Sequence, residues 1–212
     1  MRFNRNKITA TPNEPDADED FVAIGVTVLD GEADHAAIII QYRGDIFELE
    51  FTGATVNFGL NTKSYRQSIV RSIETDDVPA FFAMCGKVVE EADPKFDFFY
   101  SGEYYNRIGR HMGRGATGER MTCVGFCLNV LKGFLTEDYL RYEDWGPESS
   151  EIDGFVENYC RQHGFAKELI QKAHRRIAPD ELLASAFFSD PPVRKAQIDS
   201  IIEKVRTTLR DL

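Results

Sequence analysis

The sequence predicts an α+β fold in which strands come first and helices follow. Three observations carry this. Residues 21–51 hold three β-rich runs separated by turn signals, an apolar helical run follows at 122–135, and the chain beyond 150 carries only helical patterns.

Phe21 to Leu29 is rich in β-branched residues, and Asp30-Gly31-Glu32-Ala33-Asp34 interrupts it. His35 to Tyr42 forms a second run. Arg43-Gly44 is a tight-turn pair, and Asp45 to Phe51 alternates strictly before Thr52-Gly53 ends it. A two-residue loop at Arg43-Gly44 sets Tyr42 opposite Asp45, Ile39 opposite Glu48 and Ala37 opposite Glu50. His35 then becomes a diagonal neighbour of Glu50, with backbones about 7–8 Å apart. Glu48 lies two pairs farther off. A three-residue turn would put both glutamates on the face away from His35.

Residues 54–63 read as loop, with helices near 64–75 and 78–92. The second opens at Asp77, Val78 and Pro79 and carries Phe81, Phe82, Cys85, Val88 and Val89 as its apolar stripe, which makes Cys85 a core residue. The aromatic-rich stretch 96–106 reads as strand or packed loop. Residues 107–120 hold Arg107, Arg110, His111, Arg114 and Arg120 among glycines and read as a mobile basic loop. Gly113 to Gly118 formally matches GxGxxG, but no strand leads into it as a dinucleotide site requires, so a flexible loop is the better reading.

In the helical run, Val124, Cys127, Leu128, Leu131 and Leu135 share one face while Phe126, Val130 and Phe134 flank it. The helix is therefore apolar almost all round and belongs in a core. Thr122 is a good N-cap and places Cys123 in the first turn. There the unpaired amides and the helix dipole favour an anion such as a thiolate. The plainer reading of Cys123 is a small apolar residue packed beneath a loop.

Asp144-Trp145-Gly146-Pro147 reads as a boundary. Helices follow at 151–162, 166–176, 181–188 with Asp180 as cap, and from Asp190-Pro191-Pro192 to the end. The division expected is an acidic, disordered lead-in at 1–20, a core domain at 21–145, and a helical extension at 146–212 that packs on the core or on a protein partner.

Composition limits the function. With 35 acidic against 25 basic residues the net charge is −10 over 212 residues, which argues against nucleic acid as a partner. No apolar run is long enough to span a membrane, and no apolar core follows the basic start, so cytoplasm is the default compartment, with export by an uncleaved signal left open. Cys85, Cys123, Cys127 and Cys160 lack zinc-ligand spacing, and no HExxH occurs, so neither metal nor cofactor is expected.

A thiol at a helix start, a histidine opening a strand and a glutamate on the next strand are the components of a nucleophile, a base and the group that orients the base. In order and type, His35-Ala36-Ala37-Ile38-Ile39-Ile40, Glu50-Phe51-Thr52-Gly53 and Thr122-Cys123-Val124-Gly125-Phe126 resemble the circularly permuted papain-like proteins related to the NlpC cell-wall endopeptidases. The resemblance covers about residues 21–135. Thr122 before the cysteine looks more like the amidase branch than the lecithin:retinol acyltransferase branch, while the eukaryotic deubiquitinating branch shares the strand order.

The resemblance implies a permuted papain-like sheet packed on a buried Cys-bearing helix. It also implies a thiol hydrolase with Cys123 as nucleophile, His35 as base and Glu50 as its partner, working through a thioester without a cofactor. The Cys123 N–H would serve the oxyanion, joined by a side chain such as Tyr104 or Tyr105. Substrates would be peptides or acyl amides: cell-wall peptide, protein, isopeptide and lipid ester all stay open. His111 is the second candidate for the base and Glu48 for the acid, with His163 and His174 ranked lower. Cys127 and Cys160 read as packing, and the arginines of 107–120 would guide an acidic substrate. The alternative is an inactive papain-like or other α+β interaction module that binds a protein through residues 146–212.

Overall fold

The computed structural model describes residues 3–10, 19–97, 102–113, 118–146, 150–167 and 176–211. It is a mixed α+β structure built on an antiparallel sheet. The strands are β1 (Thr9–Ala10), β2 (Phe21–Leu29), β3 (Glu32–Tyr42), β4 (Asp45–Phe51), β5 (Val56–Leu60) and β6 (Arg66–Ile69), in the spatial order β1-β6-β2-β3-β4-β5. The β3–β4 register pairs Tyr42 with Asp45 and Ile39 with Glu48, as the two-residue turn requires. Arg43 and Gly44 both take the positive φ of such a turn.

One face of the sheet is covered by helices. α1 (Val78–Glu91) and α2 (Cys123–Leu135) pack on the β3–β5 side. There Phe82 sits among Tyr42, Phe47 and Phe58, and Phe51 meets Phe126 at 6.0 Å between ring centres. After α3 (Ser150–His163) come α4 (Pro179–Ser185), α5 (Lys195–Asp199) and α6 (Ile202–Asp211). Leu182, Leu183, Val205 and Leu209 join the same core as Ile38, Phe126 and Val130. The expected boundary is stitched shut: Trp145 is buried and donates to Glu181 Oε2 at 3.2 Å, while Asp144 takes a two-pronged ion pair from Arg194.

On the opposite face the described core residues come from the strands and the segment after β5, not from a helix. Ala23, Ala37, Ile39, Ile46 and Tyr65 form a small second core there. The cause is the route of the chain. β5 and β6 are consecutive in sequence yet lie on opposite sides of β2–β4, so residues 61–65 must cross this face. Gly25 makes room for the crossing, since a Cβ on it would lie 2.6 Å from Ile39 Cγ1 and 3.2 Å from Tyr65 Cβ.

Several local expectations are corrected. The helix expected over 64–75 is instead β6, because Ser68 and Ile69 complete the open edge of β2 and that pairing overrides local propensity. Part of the loop expected at 54–63 is β5. The lead-in is not wholly solvated: Ile8 is buried, Phe3 stacks on Phe187 at 5.2 Å, and β1 pairs with β6. The single last helix is two, α5 and α6, separated at Ser200–Ile201, where Ser200 N and Ile201 N donate to the Gln197 and Ile198 carbonyls in i→i−3 fashion. Asp180 does not cap α4. It lies inside the helix and binds Arg206 at 2.6 Å, while the Glu181 carboxylate accepts from the Ala178 amide. The helix expected at 166–176 falls mostly outside the described residues, as does most of the GxGxxG segment.

Among the described residues no helix is long and apolar enough to cross a membrane.

Candidate functional site

α2 begins where the sequence places it. Thr122 is extended and its Oγ1 accepts from the Gly125 amide at 3.1 Å, so Cys123 is the first helical residue. Replacing Thr122 with alanine leaves that amide without its cap. Thr122→Ala is expected to lower stability by about 1 kcal/mol, readable as a fall in the urea midpoint at unchanged slope.

The helix start docks where two strands part. β3–β4 pairing stops at Ile38–Leu49, whereas β4 stays paired with β5 as far as Phe51–Val56. Into this gap comes the Cys123 sulfur, faced by the main-chain amides of Ala36 and Val124. A β-bulge helps to shape it. Thr27 pairs with His35 and Val28 with Ala33, so Asp34 is the extra residue, held by a 2.6 Å bond from Thr27 Oγ1. The bulge brings the Asp34 charge within range of the thiol.

Cys123 is half-buried. Burial raises its pKa above the ordinary thiol value. The amides of Ala36, Val124 and Cys123 itself act in the lowering direction, and Asp34 adds to the rise. The resting thiol is therefore neutral, the reverse of what the helix dipole alone would give. A nucleophilic role for Cys123 thus needs a base to remove its proton.

His35 and Glu50 meet on the face that residues 61–65 cross, opposite the one on which α1 and α2 pack. His35 Nε2 lies 3.0 Å from Glu50 Oε2. Glu50 is only 1 % exposed, yet four side chains serve its carboxylate. Oε1 accepts from Lys63 Nζ and from Asn57 Nδ2 (3.2 Å), and Oε2 faces His35 and accepts from Tyr65 Oη–H (3.3 Å). Burial acts to raise the Glu50 pKa. The hydrogen bonds of Lys63 and Asn57, with the charges of Lys63 and His35, more than offset it, and the net direction is down. An ionised carboxylate can only accept, so the His35 nitrogen that faces it, Nε2, carries a proton.

Glu48 shares this face but is shifted the other way. Burial pushes its carboxyl up, and one of its oxygens is buried without a hydrogen-bond partner. The His35 hydrogen bond goes to Glu50.

The remaining candidates are held elsewhere. β7 (Lys95–Phe96) pairs in parallel with β10 (Arg120–Met121), while β8 (Tyr104–Tyr105) and β9 (His111–Met112) form a hairpin along the flank of α2. His111 sits 3.1 Å from Glu103 and edge-on to Tyr105, and the Tyr105 main chain lies against Gly133. Gly133 is about 15 Å along the helix from Cys123. Tyr105 Oη–H is engaged by Glu119 Oε1 at 2.8 Å. Cys85 and Cys127 are fully buried and their thiols are pushed up, while Cys160 is buried and the His163 ring lies tilted against Tyr159. His174 and Arg114 lie outside the described residues. Arg107 covers the Phe134 ring, Arg110 pairs with Glu91 and Arg120 with Asp97, so the basic loop does not gather its charge at Cys123.

A cavity of about 430 Å³ lies between the β2–β3 turn and α6 and is lined by Glu32, Ala33, Arg176, Asp180, Arg206 and Arg210, among others. None of Cys123, His35 and Glu50 lines it. Among the described residues no cluster of three or more His, Cys, Asp or Glu could hold a metal ion.

Lys63, Asn57 and Tyr65 are functional candidates that sequence reasoning missed. Asn57 had a signal, since extending the β4 hairpin to a next strand places it opposite Glu50. Lys63 and Tyr65 had none, because they reach Glu50 only through the chain crossing.

Comparison of the chain with protein-family models, with curated proteins and with solved structures finds no match.

Proposed function

We propose that the chain is a cysteine hydrolase of amide bonds, built as a circularly permuted papain-like fold, with Cys123 as nucleophile, His35 as base and Glu50 as the group that orients the base. One observation supports this most. The His35–Glu50 hydrogen bond sits on the strand segment whose next amide, Ala36, faces the Cys123 sulfur.

In this reading His35 Nδ1 takes the Sγ proton as sulfur attacks the substrate carbonyl carbon. The C–S bond forms, and the carbonyl oxygen becomes an oxyanion beside the Cys123 N–H, where the helix start supplies partial positive charge. Collapse breaks the C–N bond, and the amine leaves with the proton from His35. Water, deprotonated by His35, then attacks the thioester and releases the acid and the thiol. Glu50 accepts from Nε2–H throughout and stabilises the transient imidazolium. The substrate is a peptide or acyl amide.

The test is Cys123 alkylation by iodoacetamide against pH, with mass mapping to separate it from the other thiols. The wild type is expected to react about tenfold faster or more near pH 7 than His35→Ala, with its midpoint at lower pH, because an imidazole partner shifts a thiol by one unit or more. A Cys123 indifferent to His35 would sink the proposal. That outcome would favour the second reading, a non-catalytic interaction module, which the upward direction of the buried Cys123 thiol supports.

A further inference from the structure

Two glutamates, Glu48 and Glu50, stand two residues apart on the same buried face of β4, and both lie near Lys63. Two carboxylates so close and so little hydrated resist simultaneous ionisation. One of them must be the anion if His35 is to keep its proton on Nε2. We propose that Lys63 makes this choice: it is a positioning residue that holds Glu50, rather than Glu48, as the ionised carboxylate and turns Glu50 Oε2 toward His35. This rests on the reading of His35 as the base.

The arrangement of donors supports it. Lys63 and Asn57 both occupy Oε1, which fixes the rotation of the carboxylate and leaves Oε2 to His35 and Tyr65. The Lys63 charge reaches Glu48 as well, but burial outweighs it there, and one Glu48 oxygen stays without a hydrogen-bond partner. The charged and titratable groups around Glu50 come from each packed element: His35 from β3, Glu48 from β4, Lys63 and Tyr65 from the crossing segment, and Cys127 from α2. Lys63 is the only cation among these apart from His35 itself. The Lys63 side chain is 41 % exposed, so its stem reaches from solvent and its loss leaves no large cavity.

The experiment uses the full chain and the variants Lys63→Met, Lys63→Gln and Lys63→Arg. One readout is the imidazole nitrogen shifts of His35 by ¹⁵N NMR, assigned by their absence in His35→Ala. The other is the pH profile of Cys123 alkylation by iodoacetamide. The wild type is expected to hold His35 in the Nε2–H tautomer at neutral pH. Lys63→Met and Lys63→Gln are expected to mix the tautomers and to move the acid limb of alkylation up by about one pH unit or more, the size of a lost neighbouring charge. Lys63→Arg is expected to keep both readouts near wild type. Lys63→Gln retains a hydrogen-bond donor without charge, and it supplies the same reading should Lys63→Met fold poorly.

Unchanged tautomer and profile in the neutral variants would overturn the proposal. So would a downward move of the acid limb, which would mean that Lys63 only opposes the imidazolium. An arginine variant that behaves like methionine would overturn it too, because charge would then not be the cause. Failure of the hydrolase reading looks different: alkylation indifferent to His35, with the tautomer still following the charge at residue 63.

Discussion

Glu50→Ala is expected to lower stability by about 3 kcal/mol, toward the low end for breaking a buried ion pair. The carboxylate is almost wholly buried and serves Lys63, Asn57, Tyr65 and His35 together. Its removal takes the carboxylate from His35 Nε2–H and Asn57 Nδ2 and leaves Tyr65 Oη–H with Glu48 alone, and unpartnered buried polar groups cost about 1–3 kcal/mol each. The half-exposed Lys63 can turn to water, which keeps the loss from being larger.

Glu50→Gln keeps the shape and removes the charge, and it isolates the pH dependence. The Glu50 pKa is lowered in the folded chain. Its contribution is therefore fully present above the unfolded glutamate value of about 4.3 and is lost as pH falls through the lower folded value. Urea titrations between neutral pH and pH 2 should show the wild type losing more stability than Glu50→Gln over that acid range. Parallel curves for the two proteins, or a cost below about 1 kcal/mol for Glu50→Ala, would contradict the buried network.

Gly133→Ala is the other large expected effect. Gly133 lies inside α2, where alanine would ordinarily gain about 1 kcal/mol over glycine. Here a Cβ would collide with the main-chain oxygen of Tyr105 and crowd Met84 Cε at 3.1 Å. Main chain cannot rotate aside as a side-chain tip can, so the overpacking cost belongs near the top of the usual range, about 3 kcal/mol. The net expectation is a loss of about 2 kcal/mol, or a melting point roughly 5 °C lower for a chain of this length. Gly86 inside α1 is the internal control, because nothing lies within 4 Å of its Cβ position. Gly86→Ala should raise stability by up to about 1 kcal/mol. Thermal unfolding of the two variants should therefore move in opposite directions, and equal shifts would mean that β8 does not lie against α2 as described.

Much of the candidate site could be read without coordinates. The β3–β4 turn has only two residues, so one register satisfies it, and that register carries His35 within reach of Glu50. The Thr122 cap and the apolar run behind it are local features, and they suffice to set Cys123 at the first turn of a buried helix. These elements were legible because neighbours in sequence supply their interactions.

What lay beyond the sequence depends on residues that are distant in the chain. Residues 64–75 hold a helical pattern in isolation, but the open edge of β2 selects a strand there. The crossing segment that follows from this choice delivers Lys63 and Tyr65 to Glu50, so the state of that carboxylate could not be seen locally. The Asp34 bulge arises only when β2 and β3 pair, and it places a carboxylate near a thiol that burial already keeps neutral. The sequence by itself determined the α+β elements, the hairpin register and the place of Cys123 on its helix, because turns, caps and periodicity act over a few residues. Tertiary structure alone decided in which direction the two glutamates and the Cys123 thiol are shifted, because burial and charge pairing are sums over groups that only folding brings together.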